Sequence, residues 1–208
     1  MLKYFAILPL LLAFLFNYSS TGEPETPSYM LSEQLAMNAN VAREKADRQR
    51  IISNLVTYLE RKWKRPRSDI QSIVDLSFSL TSNGLYKPLS STTAWPKPED
   101  VLAVIQVESG FNKTARDSVS GSVGLMQINT DDHKINPDKL TKPAVSIAYG
   151  LALMKKYHRE MASESRALVA YNQGPISAAL TCGRRKFCET PYTIKVAMAK
   201  REIQRHLN

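Results

Sequence analysis

The residue of this chain best placed to do chemistry is a glutamate. Val101, Val104, Ile105 and Glu108 stand at i, i+3, i+4 and i+7 of a stretch that opens at Pro98 and stops at Gly110. In a helix these four positions share one face, so the carboxyl prolongs an apolar stripe that must face a core. It also falls in the last turn, where the helix dipole is negative. Burial and the dipole both disfavour the anion, so both raise the pKa. A carboxylic acid still protonated near neutrality is what cleavage of a glycosidic bond needs, because it can donate to the departing oxygen. A glutamate turned to solvent at a frayed helix end is the competing reading of the stripe alone.

The compartment follows from the first 22 residues. Lys3 precedes an apolar run from Tyr4 to Phe16, and the small polar residues Ser19, Ser20, Thr21 and Gly22 follow. This is the layout of a secretory signal peptide at 1–22, and the run is short for a bilayer span. An uncleaved N-terminal anchor is the alternative. An exported protein, periplasmic or secreted, is expected. In such a chain the two cysteines, Cys182 and Cys188 in CGRRKFC, read as one local disulfide, with two independent thiols as the blander reading. No metal site is expected, since His133 and His158 are distant from the cysteines in sequence. No cofactor is implied either.

These residues need a scaffold, and the pattern predicts a mainly α one. Of 208 residues 43% are hydrophobic and 23% charged, enough apolar material for one core. Residues 23–33 are aperiodic, as in a linker, and a helical pattern begins near Glu33. Ile51, Ile52, Leu55, Val56, Leu59 and Trp63 give that helix an apolar face. A second helix follows Pro66, with Ile70, Ile73, Val74 and Phe78 on one face and a stop at Gly84. The stretch 85–97 reads as a loop. The third helix, about 98–109, carries Glu108. The Gly- and Ser-containing segment 111–128 reads as a loop or short hairpin, and helices return at about 145–158, 163–172 and 191–206. The expected organisation is a linker and N-terminal helical extension over 23–50 and one domain over 51–208, with at most a small β element.

Several short blocks then fall in one order. Glu108-Ser109 lies in VESGFN; Ser118-Val119-Ser120-Gly121 precedes Gly124-Leu125-Met126-Gln127; Ala170-Tyr171-Asn172 is followed by Gly174-Pro175. Together, at these spacings, they resemble the catalytic segment of the soluble lytic transglycosylases, relatives of goose-type lysozymes. The resemblance covers about 98–200 and implies an α+β lysozyme-like fold with a substrate groove. Tyr192 with Lys195-Val196 resembles a closing block of the family, with Thr193 where the family has Val.

The resemblance implies cleavage of the β-1,4 bond between N-acetylmuramic acid and N-acetylglucosamine in peptidoglycan, with Glu108 as acid and then base. It implies that Ser109 and Ser118 hydrogen-bond Glu108 or substrate, and that Met126 lines the groove. Gln127 and Asn172 would bind N-acetyl or hydroxyl groups, Tyr171 would approach Glu108, and Tyr192 is a further contact. Gly121 and Gly124 would allow close backbone approach.

Two other function classes stay open. A hydrolytic muramidase needs a second carboxylate to activate water. Goose-type relatives have Asp just after the Met-Gln pair, where this chain has Asn129; Asp117, Asp131 and Asp132 are the nearby candidates. A non-catalytic wall-binding or assembly protein would keep the groove without the acid. The net charge of +9 suits an anionic wall mesh. Nucleic acid is not expected as a partner, since the basic stretch 43–67 has no nucleic-acid motif. A monomer is expected, with a cell-envelope protein as a candidate partner for the helix over 34–64.

Overall fold

The structure is a computed structural model that describes residues 28–81 and 95–207. The expected leader at 1–22 and the stop at Gly84 lie outside the described residues. By Cα packing the chain divides into Met1–Lys45 and Ala46–Asn208, where the sequence reading draws its boundary after residue 50. In the first unit the described backbone is the start of helix α1 (Ser28–Trp63). It begins five residues ahead of Glu33, and Met30 and Leu31 are good helix formers in that added stretch. Every described side chain from Ser32 to Lys45 is exposed.

In the second unit α1 continues, followed by α2 (Arg67–Thr81) and α3 (Pro98–Ser109). A three-stranded antiparallel sheet comes next: β1 (Arg116–Asp117), β2 (Ser122–Val123) and β3 (Ile128–Asn129), in the order β1-β2-β3. Then come α4 (Thr130–His133), α5 (Pro137–Leu140), α6 (Pro143–Met161), α7 (Glu164–Gln173), α8 (Pro175–Cys182) and α9 (Pro191–Gln204). The architecture is the mainly helical, lysozyme-like one expected, with its small β element between the third and fourth helices.

The core explains the order. Leu55, Val56 and Leu59 of α1 and Ile70, Ile73 and Val74 of α2 are fully buried, and Val101–Ile105 of α3 lies among them. The α3 and α9 pair forms the most extensive helix contact. Its ends are tied by polar groups as well. Asp100, 5% exposed, accepts from the Lys97 backbone N–H at 2.8 Å and pairs with Lys200 of α9 at 2.6 Å. At the other side Glu202 of α9 takes Tyr58 and Lys62 of α1 and the Gln106 amide of α3, the last at 2.8 Å. These cationic and hydroxyl donors hold the Glu202 carboxyl down to about 2 despite its desolvation. A second buried cluster gathers Tyr157, Met161, Ala167, Val169, Ala170, Ala178 and both cysteines.

Three short helices go beyond the sequence reading, and each starts at a local signal. Asn129 caps α4 by accepting from the N–H groups of Asp131 and Asp132, Asn136 caps α5, and Gly174 leads into Pro175 at the first position of α8. Asparagine before a turn and proline at the first helical position are start signals as much as stops.

Candidate active site

Glu108 occupies the last turn of α3, which ends at Gly110 in the left-handed conformation (φ 54°). The turn is braced from below. The Trp63 ring lies so close to Gly110 that a Cβ there would sit 2.6 Å from it, and Arg65 Nε donates to the Gly110 carbonyl at 3.4 Å. Lys113 Nζ reaches Asp69 of α2 at 2.8 Å. The end of α1 and the start of α2 therefore hold the backbone that follows the glutamate. Sequence reading assigned Trp63 to the apolar face and Gly110 to a helix stop; their contact was not visible in it.

Above the glutamate stands Tyr192, whose hydroxyl donates to Glu108 Oε1 at 2.6 Å. The phenol is positioned by the first turn of α9. Thr190 caps that helix and accepts from the Thr193 N–H at 3.2 Å, while the Thr190 N–H donates to Thr193 Oγ1 at 2.8 Å. The Thr193 hydroxyl also reaches the Cys188 carbonyl at 3.3 Å. Cys188 is in turn bonded to Cys182, with 5.3 Å between their Cα atoms. Thr193, the departure from the family block, thus serves the cap.

Burial pushes the Glu108 carboxyl up from its ordinary 4.5 to about 7, against the opposing pull of the Tyr192 hydrogen bond. Burial and the charge of Glu108 also raise Tyr171 and Tyr192 well above the ordinary tyrosine range, so both phenols are neutral donors. Asp117 moves the other way: the Val119 N–H at 2.9 Å and the Ser120 hydroxyl at 2.8 Å stabilise its anion. It lies exposed at the end of β1, and Asp131 and Asp132 are exposed in the first turn of α4.

The remaining residues singled out in the sequence separate into two groups. Tyr171 does not hydrogen-bond Glu108. Its hydroxyl donates to the Met126 carbonyl at 2.7 Å, and the Glu108 partner is Tyr192 instead. Met126, expected to line the groove, has no exposed surface. Its N–H donates to Ser146 Oγ at 3.2 Å, and its sulfur fills the space over Gly150, where a Cβ could not be added. Gly124 is equally hemmed in, since a Cβ there would run into the Leu140 carbonyl. Met126 is packing, and it presents a carbonyl to Tyr171. The Ser109 hydroxyl bonds back to the Ile105 carbonyl at 3.1 Å rather than to Glu108. Gln127, at φ 45°, donates its amide nitrogen to the Gly124 carbonyl at 2.8 Å. Ser118 and Asn172 are exposed, and neither side chain hydrogen-bonds another described residue.

Among the described residues no group of three or more His, Cys, Asp or Glu stands together as a metal site, and no helix is long and apolar enough to cross a membrane. No solved structure matches the chain. Residues 90–189 match the family model described as Transglycosylase SLT domain, a span that holds Glu108 and ends three residues before Tyr192.

Proposed function

We propose that this chain, whose residues 90–189 match the transglycosylase SLT domain, cleaves peptidoglycan glycan strands and that Glu108 performs the cleavage alone, first as acid and then as base. The observation that carries this reading is the half-buried Glu108 carboxyl, raised to about 7 and held by the Tyr192 hydroxyl. At neutral pH a large fraction of the sites hold the proton, so Glu108 gives it to the oxygen that bridges N-acetylmuramic acid to N-acetylglucosamine. The C1–O4 bond breaks, and the departing N-acetylglucosamine leaves with that proton on its O4 hydroxyl.

Glu108 is then a carboxylate, steadied by the hydrogen bond from Tyr192. It takes the proton of the muramyl C6 hydroxyl, whose oxygen closes on C1 to give the 1,6-anhydro sugar. Atoms balance without water, and the acid is restored. A tethered nucleophile has the advantage of an intramolecular reaction, which is why one carboxyl suffices. Ser118, Asn172 and the Gln127 side-chain carbonyl, left without hydrogen-bond partners among the described residues, are offered to substrate hydroxyl and N-acetyl groups. Tyr171 holds the Met126 turn against the site.

The same reading takes residues 1–22 as an export leader, 23–50 as an extension open to an envelope partner, and 51–208 as a monomeric enzyme domain. N-terminal sequencing of the exported protein checks the first of these. The activity is tested by mass spectrometry of the soluble products from peptidoglycan sacculi, with Glu108→Gln alongside. Products with 1,6-anhydro muramic acid, absent in the variant, support the proposal. Reducing-end products, heavier by one water, would replace it with a muramidase and turn attention to Asp117, Asp131 and Asp132. A folded protein that binds sacculi and releases nothing would leave a wall-binding role.

A further inference from the structure

Far from the glutamate in its chemistry, α8 turns an apolar face outward. Ile176 and Leu180, one turn apart, are 78% and 83% exposed, while Ala178 and Cys182 are buried in the second core cluster. Beyond the helix, in the loop closed by Cys182 and Cys188, Phe187 is 74% exposed. Between Leu180 and Phe187 lie Arg184, Arg185 and Lys186, all exposed, and no Asp or Glu occurs from Gly174 to Cys188. Lys186 Nζ stands 5.9 Å from the centre of the Phe187 ring.

The loop is rigidly mounted. The Ser163 hydroxyl donates to the Lys186 carbonyl at 2.8 Å, and the Cys188 N–H donates to Ser165 Oγ at 3.0 Å. Arg185 is turned back onto the end of α8, where it donates to the Thr181 and Cys182 carbonyls. That leaves Arg184 and Lys186 as the outward cations beside three projecting hydrocarbon side chains.

We propose that the face made by Ile176, Leu180 and Phe187, rimmed by Arg184 and Lys186, seats on an anionic lipid surface. Apolar side chains sinking to the acyl boundary with cations at the headgroups is the chemistry of interfacial binding. The glycan mesh supplies anions but no hydrocarbon for Ile176 and Leu180. The exposed acid Glu189, next along the chain, is outnumbered by Arg184, Arg185 and Lys186, so the patch stays net positive, as an anionic headgroup layer requires. This assignment is independent of how Glu108 works.

The apolar run Tyr4–Phe16 would hold the full chain on vesicles by itself, so the readout must report from the face. Phe187→Trp in the full chain supplies it, as the spectrum in excess of Trp63 and Trp95. The probe is vesicles of phosphatidylcholine, with or without phosphatidylglycerol, that carry bromine-labelled acyl chains. With phosphatidylglycerol the added tryptophan emits further to the blue and is quenched by bromine. Arg184→Gln with Lys186→Gln lowers the lipid-seated to free ratio of the face about 30-fold, the effect of two surface cations. Ile176→Ser with Leu180→Ser abolishes the quenching in a protein whose melting and disulfide are unchanged. Emission that stays as in buffer while the chain sediments with the vesicles overturns the proposal. So does equal quenching with and without phosphatidylglycerol. Self-association that these substitutions abolish, without quenching, assigns the face to a protein contact instead.

Discussion

Replacing Glu108 by Gln should make the protein more stable, and by an amount that depends on pH. Burial raises the carboxyl from 4.5 to about 7 in the folded state, while the unfolded chain keeps the lower value. Below pH 4.5 both states hold the proton and the group is neutral in either. Between pH 4.5 and 7 the folded state binds more protons than the unfolded one, so stability falls as pH rises. Above pH 7 the loss is complete. At 1.36 kcal/mol per pH unit it amounts to about 3 kcal/mol. Glutamine has the same shape, still accepts from Tyr192 and never ionises, so the variant escapes this loss. Denaturant unfolding of both proteins from pH 4 to pH 9 should give stabilities that run parallel at the acid end. They should then separate until the variant leads by about 3 kcal/mol at pH 8, or roughly 6–12 °C in melting temperature. Lost or added hydrogen bonds of the amide shift the whole curve and leave its pH dependence alone. A difference that does not change with pH, or that grows toward acid, would refute the burial of Glu108 on which the mechanism depends.

Other outcomes follow from the same geometry. Tyr192→Phe removes the donor that favours the Glu108 anion, so the acid form persists to higher pH. The alkaline limb of kcat/KM, near pH 7 in the parent, should move up by roughly one to two pH units while the plateau falls; a limb that moves toward acid contradicts the assignment. Gly110→Ala places a methyl against Trp63 at positive φ and should cost roughly 2–4 kcal/mol in denaturant unfolding. The cost should shrink in a Trp63→Leu background, and an equal cost in both would dismiss the contact. Cys182→Ala with Cys188→Ala should lower stability by about 2 kcal/mol. It should also lower kcat more than it raises KM, because the loop leads into the turn that carries Tyr192.

What could be read from the residues alone was local. The Val101–Glu108 stripe gives the angle of the carboxyl about its helix axis, and Gly110 marks the end, because periodicity and capping act within one element. The cysteine pair was legible for the same reason. The partner of Glu108 was not. Tyr192 lies 84 positions away, and which of two tyrosines reaches the carboxyl depends on how α9 docks on α3. Backbone groups also compete for side chains in a way that residue type does not show. Ser109 and Gln127 look like ligand-binding groups, yet one hydroxyl is drawn to a carbonyl four residues back and one amide closes a turn at positive φ. Neither event has a periodic signature. Short helices such as α4 and α5 are a single turn, too brief for periodicity to show.

The turn from Gly124 to Gln127 is wedged between α5 and α6. Gly124 admits no methyl beside the Leu140 carbonyl, Met126 fills the notch over Gly150, and Ser146 accepts the Met126 N–H. Such a seat leaves inheritance little choice. Added bulk at Gly124 or Gly150, or truncation of Met126, would cost stability before it could alter what the protein recognises. A lineage could therefore keep Gly-Leu-Met-Gln intact through changes of substrate, or even after losing its enzyme. The exposed Ser118 and Asn172, which bear no such packing duty, are where divergence in sugar preference would have room to accumulate.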